Sequence, residues 1–272
     1  MQGNKPLIYM RGGGDLATGV AARLHRCGFH VVVAEVERPR AVRRLVSLAE
    51  AIYQGTVGIE DLRGVRVAGV VDALQSLQRG VIPVMVDADA DALVPLEPVA
   101  LIDARMRKKP PEKNFSSVPL VVGLGPGFTA GETCDVVIET KRGHRLGRAI
   151  WNGQAAQDTG VPGEVAGHDV DRVLRAPAAG HLTPQVALGA VLKQDDCIAT
   201  FGEIEVRAPF DGVLRGLIHE SVEVREGEKI GDVDPRQDPR YCIEISDKAL
   251  AVGGGVLESL LSRPEIRSTL GV

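Results

Sequence analysis

Residues 7–38 read LIYMRGGGDLATGVAARLHRCGFHVVVAEVER. A short apolar run, Leu7 to Met10, meets a glycine turn and then an amphipathic segment in which Val20, Leu24 and Cys27 recur at helical spacing. After Gly28 the chain turns apolar again, with Phe29 and Val31 to Val33, and reaches Glu35. This order predicts strand, turn, helix and strand. Two strands joined through a helix lie parallel, so the stretch sets up an α/β sheet.

Gly12, Gly14 and Ala17 fall at the G-x-G-x-x-G/A spacing of dinucleotide-binding turns. Glycine lets main chain approach a pyrophosphate, and the helix N-terminus beyond it offers unpaired N–H groups and a partial positive charge. Gly12, Gly13, Gly14, Asp15, Ala17 and Thr18 are therefore candidate binding residues, with Glu35 placed to accept from ribose hydroxyls. Asp15 would repel a phosphate, which suits it better to a helix N-cap or a contact to a metal or sugar. Thr18 reads either as a phosphate contact or as a hydroxyl bonded back within its own helix. The competing account of the glycines is tight strand-to-helix packing.

A length of 272 residues accommodates two domains, each with its own core. A formal net charge of -4 speaks against nucleic acid as a partner, and 3 % aromatic residues leave no stacking platform for single strands. The start, MQGNKPL, has no basic region before a long apolar stretch, and no run approaches the ~18 residues needed to cross a bilayer. A cytoplasmic protein without a membrane partner is expected. The cysteines, Cys27, Cys134, Cys197 and Cys242, are scattered without a C-x-x-C pair, so no metal site is expected. Cys27 falls on the apolar helix face and reads as core; Cys134 follows a glycine-rich loop and is the candidate reactive thiol.

Beyond Glu35, ERPRAVRRLVSLAEAIYQG offers Pro39 as a helix start and a basic cluster. Arg43 is a candidate anion contact, while Arg40 and Arg44 read as a solvated face. Strands are expected at 65–71 and 81–87 with a helix between them, then at 99–106, ending in Asp103 and Arg105. Polar groups at the carboxyl ends of parallel strands line the ligand crevice of open α/β sheets, although an Asp beside an Arg is equally a structural ion pair. After a polar loop at 108–119 comes a second glycine passage: Gly123, Gly125 and Gly127 follow a strand at Val121–Val122 and precede another at Val136 to Glu139. So many glycines read as a backbone cradle for an anion. Glu139, Arg142 and Arg148 join the candidate binding residues, and His144, between the arginines, is the candidate proton carrier.

Residues 151–173 read as a linker or as a loop draped over the site. RAPAAGHL at 175–182 then returns as RAPFDGVL at 207–214, 32 residues on, with Asp195 matching Gly227 and Ile198 matching Ile230. Two copies of one supersecondary unit are expected to pack with pseudo-twofold symmetry. The repeated A-P-x-x-G phrase resembles the biotinyl/lipoyl-carrier barrel-sandwich hybrid. The hairpin tip, Thr200 to Gly202, has no lysine, so neither biotin nor lipoate is expected. The fold class expected is thus an α/β Rossmann-like parallel sheet over 1–160 plus a small all-β barrel-sandwich hybrid over 172–236. Residues 237–272 add a strand at Cys242 to Ile245 and a helix N-capped by Ser246, packing back on the first domain. Gly253 to Gly255 let that helix approach another backbone closely.

The phrases IYMRGGGDLATGVAARLHRCGF, ERPRAVRR, GLGPGFTAGE, IETKRGHRLGRAIW, RAPFDGVLRGLI, KIGDVDPR and ISDKALAVGGGVLE together resemble the YqeB family of selenium-dependent molybdenum hydroxylase system proteins. The resemblance implies a bacterial cytosolic accessory protein with a dinucleotide-fold part akin to XdhC-like maturation factors. Its implied partners are a molybdenum hydroxylase or its other maturation factors, with room for a homo-oligomer. The ligand expected is a small anion: a nucleotide, a dinucleotide or a molybdopterin-type cofactor. Whether it is an enzyme stays open at this point. An NAD(P)-dependent oxidoreductase suits the glycine turn and Glu35 but lacks a Tyr/Lys or His/Asp pair, and a non-catalytic scaffold leaves both glycine passages unexplained.

Overall fold

The computed structural model describes residues 5–111, 113, 115–157, 167–168 and 170–271. The chain forms two compact units. The first comprises Met1–Glu37, Leu48–Asp158 and Ile245–Val272; the second comprises Arg38–Ser47 and Thr159–Glu244.

In chain order the first unit contains β1 (Leu7–Arg11), α1 (Asp15–Arg26), β2 (His30–Glu35), α2 (Ala51–Gln54), β3 (Thr56–Ile59), β4 (Leu62–Val67), α3 (Val70–Gln78), β5 (Ile82–Val86), α4 (Leu93–Leu96), β6 (Ala100–Asp103), β7 (Val121–Leu124), β8 (Thr129–Ala130), β9 (Val136–Ile138), β10 (Ala149–Ile150) and β11 (Gly153–Gln154). Nine of these strands make one sheet in the order β10-β9-β7-β6-β1-β2-β5-β4-β3. Its central strands are apolar and buried on both faces, as for Ile8, Val31, Val33, Leu101 and Ile102, which is the pattern of parallel strands covered by helices. β1 pairs in parallel with β2 on one side and with β6 on the other.

The sheet is not the Rossmann-like parallel one expected. It is mixed: β3 runs antiparallel to β4, and β10 antiparallel to β9. The reason is connection length, because β3 and β4 are joined by Glu60 and Asp61 alone, and a two-residue link closes only an antiparallel hairpin. β5 also inserts between β2 and β4, which departs from the dinucleotide-binding order.

The second unit holds β12 (Val173–Arg175), β13 (Thr183–Pro184), β14 (Val191–Leu192), β15 (Cys197–Phe201), β16 (Ile204–Arg207), β17 (Gly212–Leu217), β18 (Lys229–Asp234) and α5 (Arg240–Ile243). The expected biotinyl/lipoyl barrel-sandwich is also corrected. The strands divide into a four-stranded sheet, β12-β18-β17-β14, and a separate three-stranded one, β13-β15-β16, with ladder irregularities in both. The internal repeat is nonetheless a structural exchange. Ala176 donates to the Glu228 carbonyl and accepts from Gly227, while Ala208, 32 residues on, donates to Asp196 and accepts from Asp195. Arg175 reaches the Gly227 carbonyl and Arg207 the Asp195 carbonyl. Each copy's R-A-P stretch therefore closes on the turn of the other, and the two turn residues share a left-handed backbone, φ 74° at Gly227 and 68° at Asp195.

The chain ends with α6 (Asp247–Leu261) and α7 (Pro264–Arg267) in the first unit. Ser246 caps α6 by accepting from the Ala249 amide. α6 packs on α1 with almost no side chain between them, since a Cβ on Gly19 would lie 2.5 Å from the Ala249 backbone and one on Gly253 2.6 Å from the Gly19 carbonyl.

Other local expectations fail. Residues 242–245 are not a strand, because α5 runs to Ile243. Pro39 starts no helix; the first regular turn after it is 3-10, at Arg44–Val46. Cys27 is exposed at the end of α1 rather than in the core. Of the expected linker, 158–166 and 169 lie outside the described residues. Among the described residues no helix is long and apolar enough to cross a membrane.

Candidate functional site

The chain leaves β1 through α1 to reach β2, while β6 pairs on the opposite side, so the sheet reverses its order between β1 and β6. Open α/β sheets take ligands outside the carboxyl ends of strands at such a point. Arg11 and Gly12 arrive there from β1, and Asp103 to Arg105 from β6. Arg11 is 4 % exposed; its Nη2 donates to the Ala88 carbonyl at 2.7 Å and its Nη1 lies 3.7 Å from Asp103. Asp103 also accepts from Arg105, through Nε at 2.8 Å and Nη2 at 2.6 Å. A carboxylate held by two guanidiniums is spent on orienting them, so Asp103 positions Arg105. Gly12 (φ 90°) lets the two strand ends meet, because a Cβ there would stand 3.3 Å from the Arg105 backbone nitrogen.

The glycine turn divides into closed and open parts. Gly13 is closed: its carbonyl accepts from Ala49 at 2.9 Å, and a Cβ on it would come within 2.8 Å of the Ala49 nitrogen. Its amide donates to Glu35 Oε1 at 2.6 Å, and Glu35 Oε2 accepts from Val36 at 3.0 Å. Burial raises the Glu35 carboxyl, against the pull of those two amides and of Arg105. Thr18 is fully buried, its hydroxyl donating to the Gly14 carbonyl at 3.0 Å and accepting from Leu48 at 3.0 Å, so it bonds back rather than outward. Ala17 is buried as well. Gly14 is the open part. It N-caps α1 with no side-chain cap, and a Cβ on it would meet nothing within 4 Å. The start of α1 consequently opens at Gly14.

The second glycine passage is a packing device. A Cβ on Gly123 would lie 2.3 Å from the Phe128 ring, and one on Gly127 2.4 Å from the Arg107 carbonyl oxygen. Gly125 (φ 84°) donates to the Ile138 carbonyl at 3.1 Å and faces Thr140 and Met106. Both glycine passages abut the segment after β6, with Arg105 against Gly12 and Met106 against Gly125.

The other candidates scatter. Cys134 is buried, and burial pushes its thiol up to about 11. Glu139, 2 % exposed, accepts from the amides of Lys141 and Ala156, each at 2.8 Å, and so pins its own loop. Arg142 makes a paired contact with Asp247 at 2.7 and 2.8 Å. His144 and Arg148 are exposed on the segment between β9 and β10. Arg43 belongs to the second unit and donates to the Tyr241 carbonyl at 3.0 Å. Among the described residues no three His, Cys, Asp or Glu side chains gather into a metal-binding set. Sequence reasoning missed Arg11, although a charged residue ending an apolar strand just before a glycine was the available signal. It also missed Leu48 and Ala49, for which no local signal exists.

No family model matches the chain. Over 255 residues, 94 % of this chain, it is 44 % identical to an Escherichia coli (strain K12) protein described as "Uncharacterized protein YqeB", of which the match covers 47 %. The chain is similar to that protein over nearly its whole length. It spans about half the length of that relative. The match takes in nearly the whole of this chain. Solved structures that match include an aspartoacylase family protein from Mesorhizobium loti (TM-score 0.24, 8 % identity, 85 % of this chain and 86 % of that one). Another is a succinylglutamate desuccinylase/aspartoacylase from Rhodobacter sphaeroides (TM-score 0.26, 11 % identity, the same coverage).

Proposed function

We propose that this YqeB-like chain binds a phosphate-bearing small molecule, a nucleotide or a molybdopterin-type cofactor, at the carboxyl edge of its large sheet. In this reading it serves as an accessory or maturation protein of a selenium-dependent molybdenum hydroxylase system. The observation that supports the binding step is the start of α1 opening at Gly14, on the strand edge where Arg11 and Arg105 share Asp103. The partial positive charge of a helix N-terminus favours an anion there. The role in hydroxylase maturation is supported by the phrases shared with the YqeB family. Cys134, the candidate reactive thiol, is buried and protonated, and the reading is one of binding and delivery. The test is a thermal-shift screen against ATP, CTP, GTP, NAD, NADP and molybdopterin nucleotides, in which a ligand at roughly 100 times its Kd adds about 2.7 kcal/mol. Stabilisation by nicotinamide dinucleotides alone would favour an oxidoreductase instead, and no stabilisation by any would favour a scaffold.

A further inference from the structure

Positive charge gathers along one part of the carboxyl edge. The segments that follow β6 and β9, ARMRKKP (104–110) and TKRGHRLGR (140–148), hold eight of the chain's 32 Lys and Arg residues and no Asp or Glu. β6 and β9 flank β7, all three parallel, so both segments leave the same edge of the sheet, two strand spacings or roughly 10 Å apart. They meet at Gly125, where a Cβ would lie 3.0 Å from Thr140 Oγ1 and 3.3 Å from Met106 Cε. The second segment is pinned along its backbone. The Glu139 amide donates to the Arg148 carbonyl at 3.0 Å, the Gly147 amide to the Glu139 carbonyl at 2.9 Å and the Arg148 amide to the Arg145 carbonyl at 3.0 Å. On that frame Lys141, Arg145 and Arg148 are exposed, as is Lys109 on the first segment. Asp103 and Asp247 answer Arg105 and Arg142, but among the described residues no ion pair engages Lys109, Lys141, Arg145 or Arg148. An ordinary solvated surface intersperses both signs, because like charges on a fixed frame repel.

We infer that this basic surface, at the carboxyl ends of β6, β7 and β9, docks an acidic face of a partner protein. The inference stands apart from anion binding at Gly14, and it gives Arg148, a candidate ligand contact in the sequence, to a protein instead. Charge complementarity argues for that occupant: a single-sign surface held in place speeds encounter with an opposite one and selects against like-charged partners. The charges stand on two segments and spread across three strand ends, which suits a face better than one phosphate. The exposed residues of 141–148 include no apolar side chain to enter a lipid surface, and a chain with 3 % aromatic residues offers little for single-stranded nucleic acid to stack on.

The test is fluorescence anisotropy with labelled oligo-glutamate as the acidic polypeptide, beside single-stranded DNA and vesicles containing phosphatidylserine, at about 50 mM salt where surface charges are weakly screened. Wild type is compared with the triple variant Lys141→Gln, Arg145→Gln, Arg148→Gln and with a control, Arg63→Gln, Arg79→Gln, Arg267→Gln, which removes the same charge from exposed positions elsewhere. Circular dichroism confirms folding, and Arg145→Gln alone serves if the triple variant does not fold. Wild type and the control are expected to bind oligo-glutamate alike, and the triple variant at least about tenfold more weakly, with a smaller loss for Arg145→Gln alone. Equal weakening in the control would reduce the effect to net charge and overturn the docking surface. So would absence of oligo-glutamate binding by wild type. Tighter loop-dependent binding of DNA or of the vesicles would hand the surface to nucleic acid or to lipid and overturn the protein partner.

Discussion

A Cβ on Gly255 would stand 1.9 Å from the carbonyl oxygen of Gly147. α6 is held between α1 and the segment joining β9 to β10 because neither partner carries a side chain at the crossings. Gly255→Ala must displace backbone, and we expect a loss of about 3 kcal/mol or more in chemical denaturation. Gly254, one position away in the same helix, has nothing within 4 Å of its Cβ direction. Gly254→Ala is expected to raise stability by roughly 0.8–1 kcal/mol through helix propensity alone. Equal effects at the two positions would refute the packing account.

Gly14 has ordinary extended backbone, φ -66° and ψ -176°, and faces open space. Gly14→Leu should therefore fold with a melting temperature within a few degrees of wild type. It should nevertheless abolish any stabilisation by a phosphate-bearing ligand, because the side chain would cover the first-turn amides of α1. Retained ligand shifts would move the binding site elsewhere.

Cys134 and Cys27 should react very differently. With its thiol pushed up to about 11, Cys134 holds only on the order of one thiolate in a few thousand at pH 7.5, and it is buried besides. Cys27 is exposed. Iodoacetamide labelling followed by peptide mass spectrometry should modify Cys27 at least about 100-fold faster. Comparable rates would restore Cys134 as a candidate nucleophile.

Glu35 makes a pH prediction whose sign follows from its raised carboxyl. The folded protein holds that proton more tightly than the unfolded chain, whose carboxyl titrates near the ordinary 4.5. The protonated group's contribution is complete below the unfolded value and is lost as pH rises through the folded one. Wild-type stability minus that of Glu35→Gln should accordingly increase as pH falls from 7 toward 4.5, measured by urea denaturation at each pH. A flat or decreasing difference would show that the amides and Arg105 outweigh burial.

What the sequence by itself determined is local. The strand–turn–helix–strand of residues 7–35, the Ser246 cap and the matched turns at Asp195 and Gly227 follow from periodicity, capping chemistry and repetition, which act over a few residues at a time. Only the tertiary structure decided how those parts are used. The same residue type serves three ends here: Gly14 faces open space, Gly123 faces the Phe128 ring, and Gly255 faces the Gly147 carbonyl. Glu35, expected to face a ligand, bonds instead to Gly13, and Thr18, read as a phosphate contact or a hydroxyl bonded back within its helix, bonds back to Gly14. The antiparallel edge strands, likewise, turned a parallel sheet into a mixed one. A glycine carries no mark of what approaches it, and a carboxylate takes whichever donor the fold brings within reach, so both are settled by contacts distant in sequence.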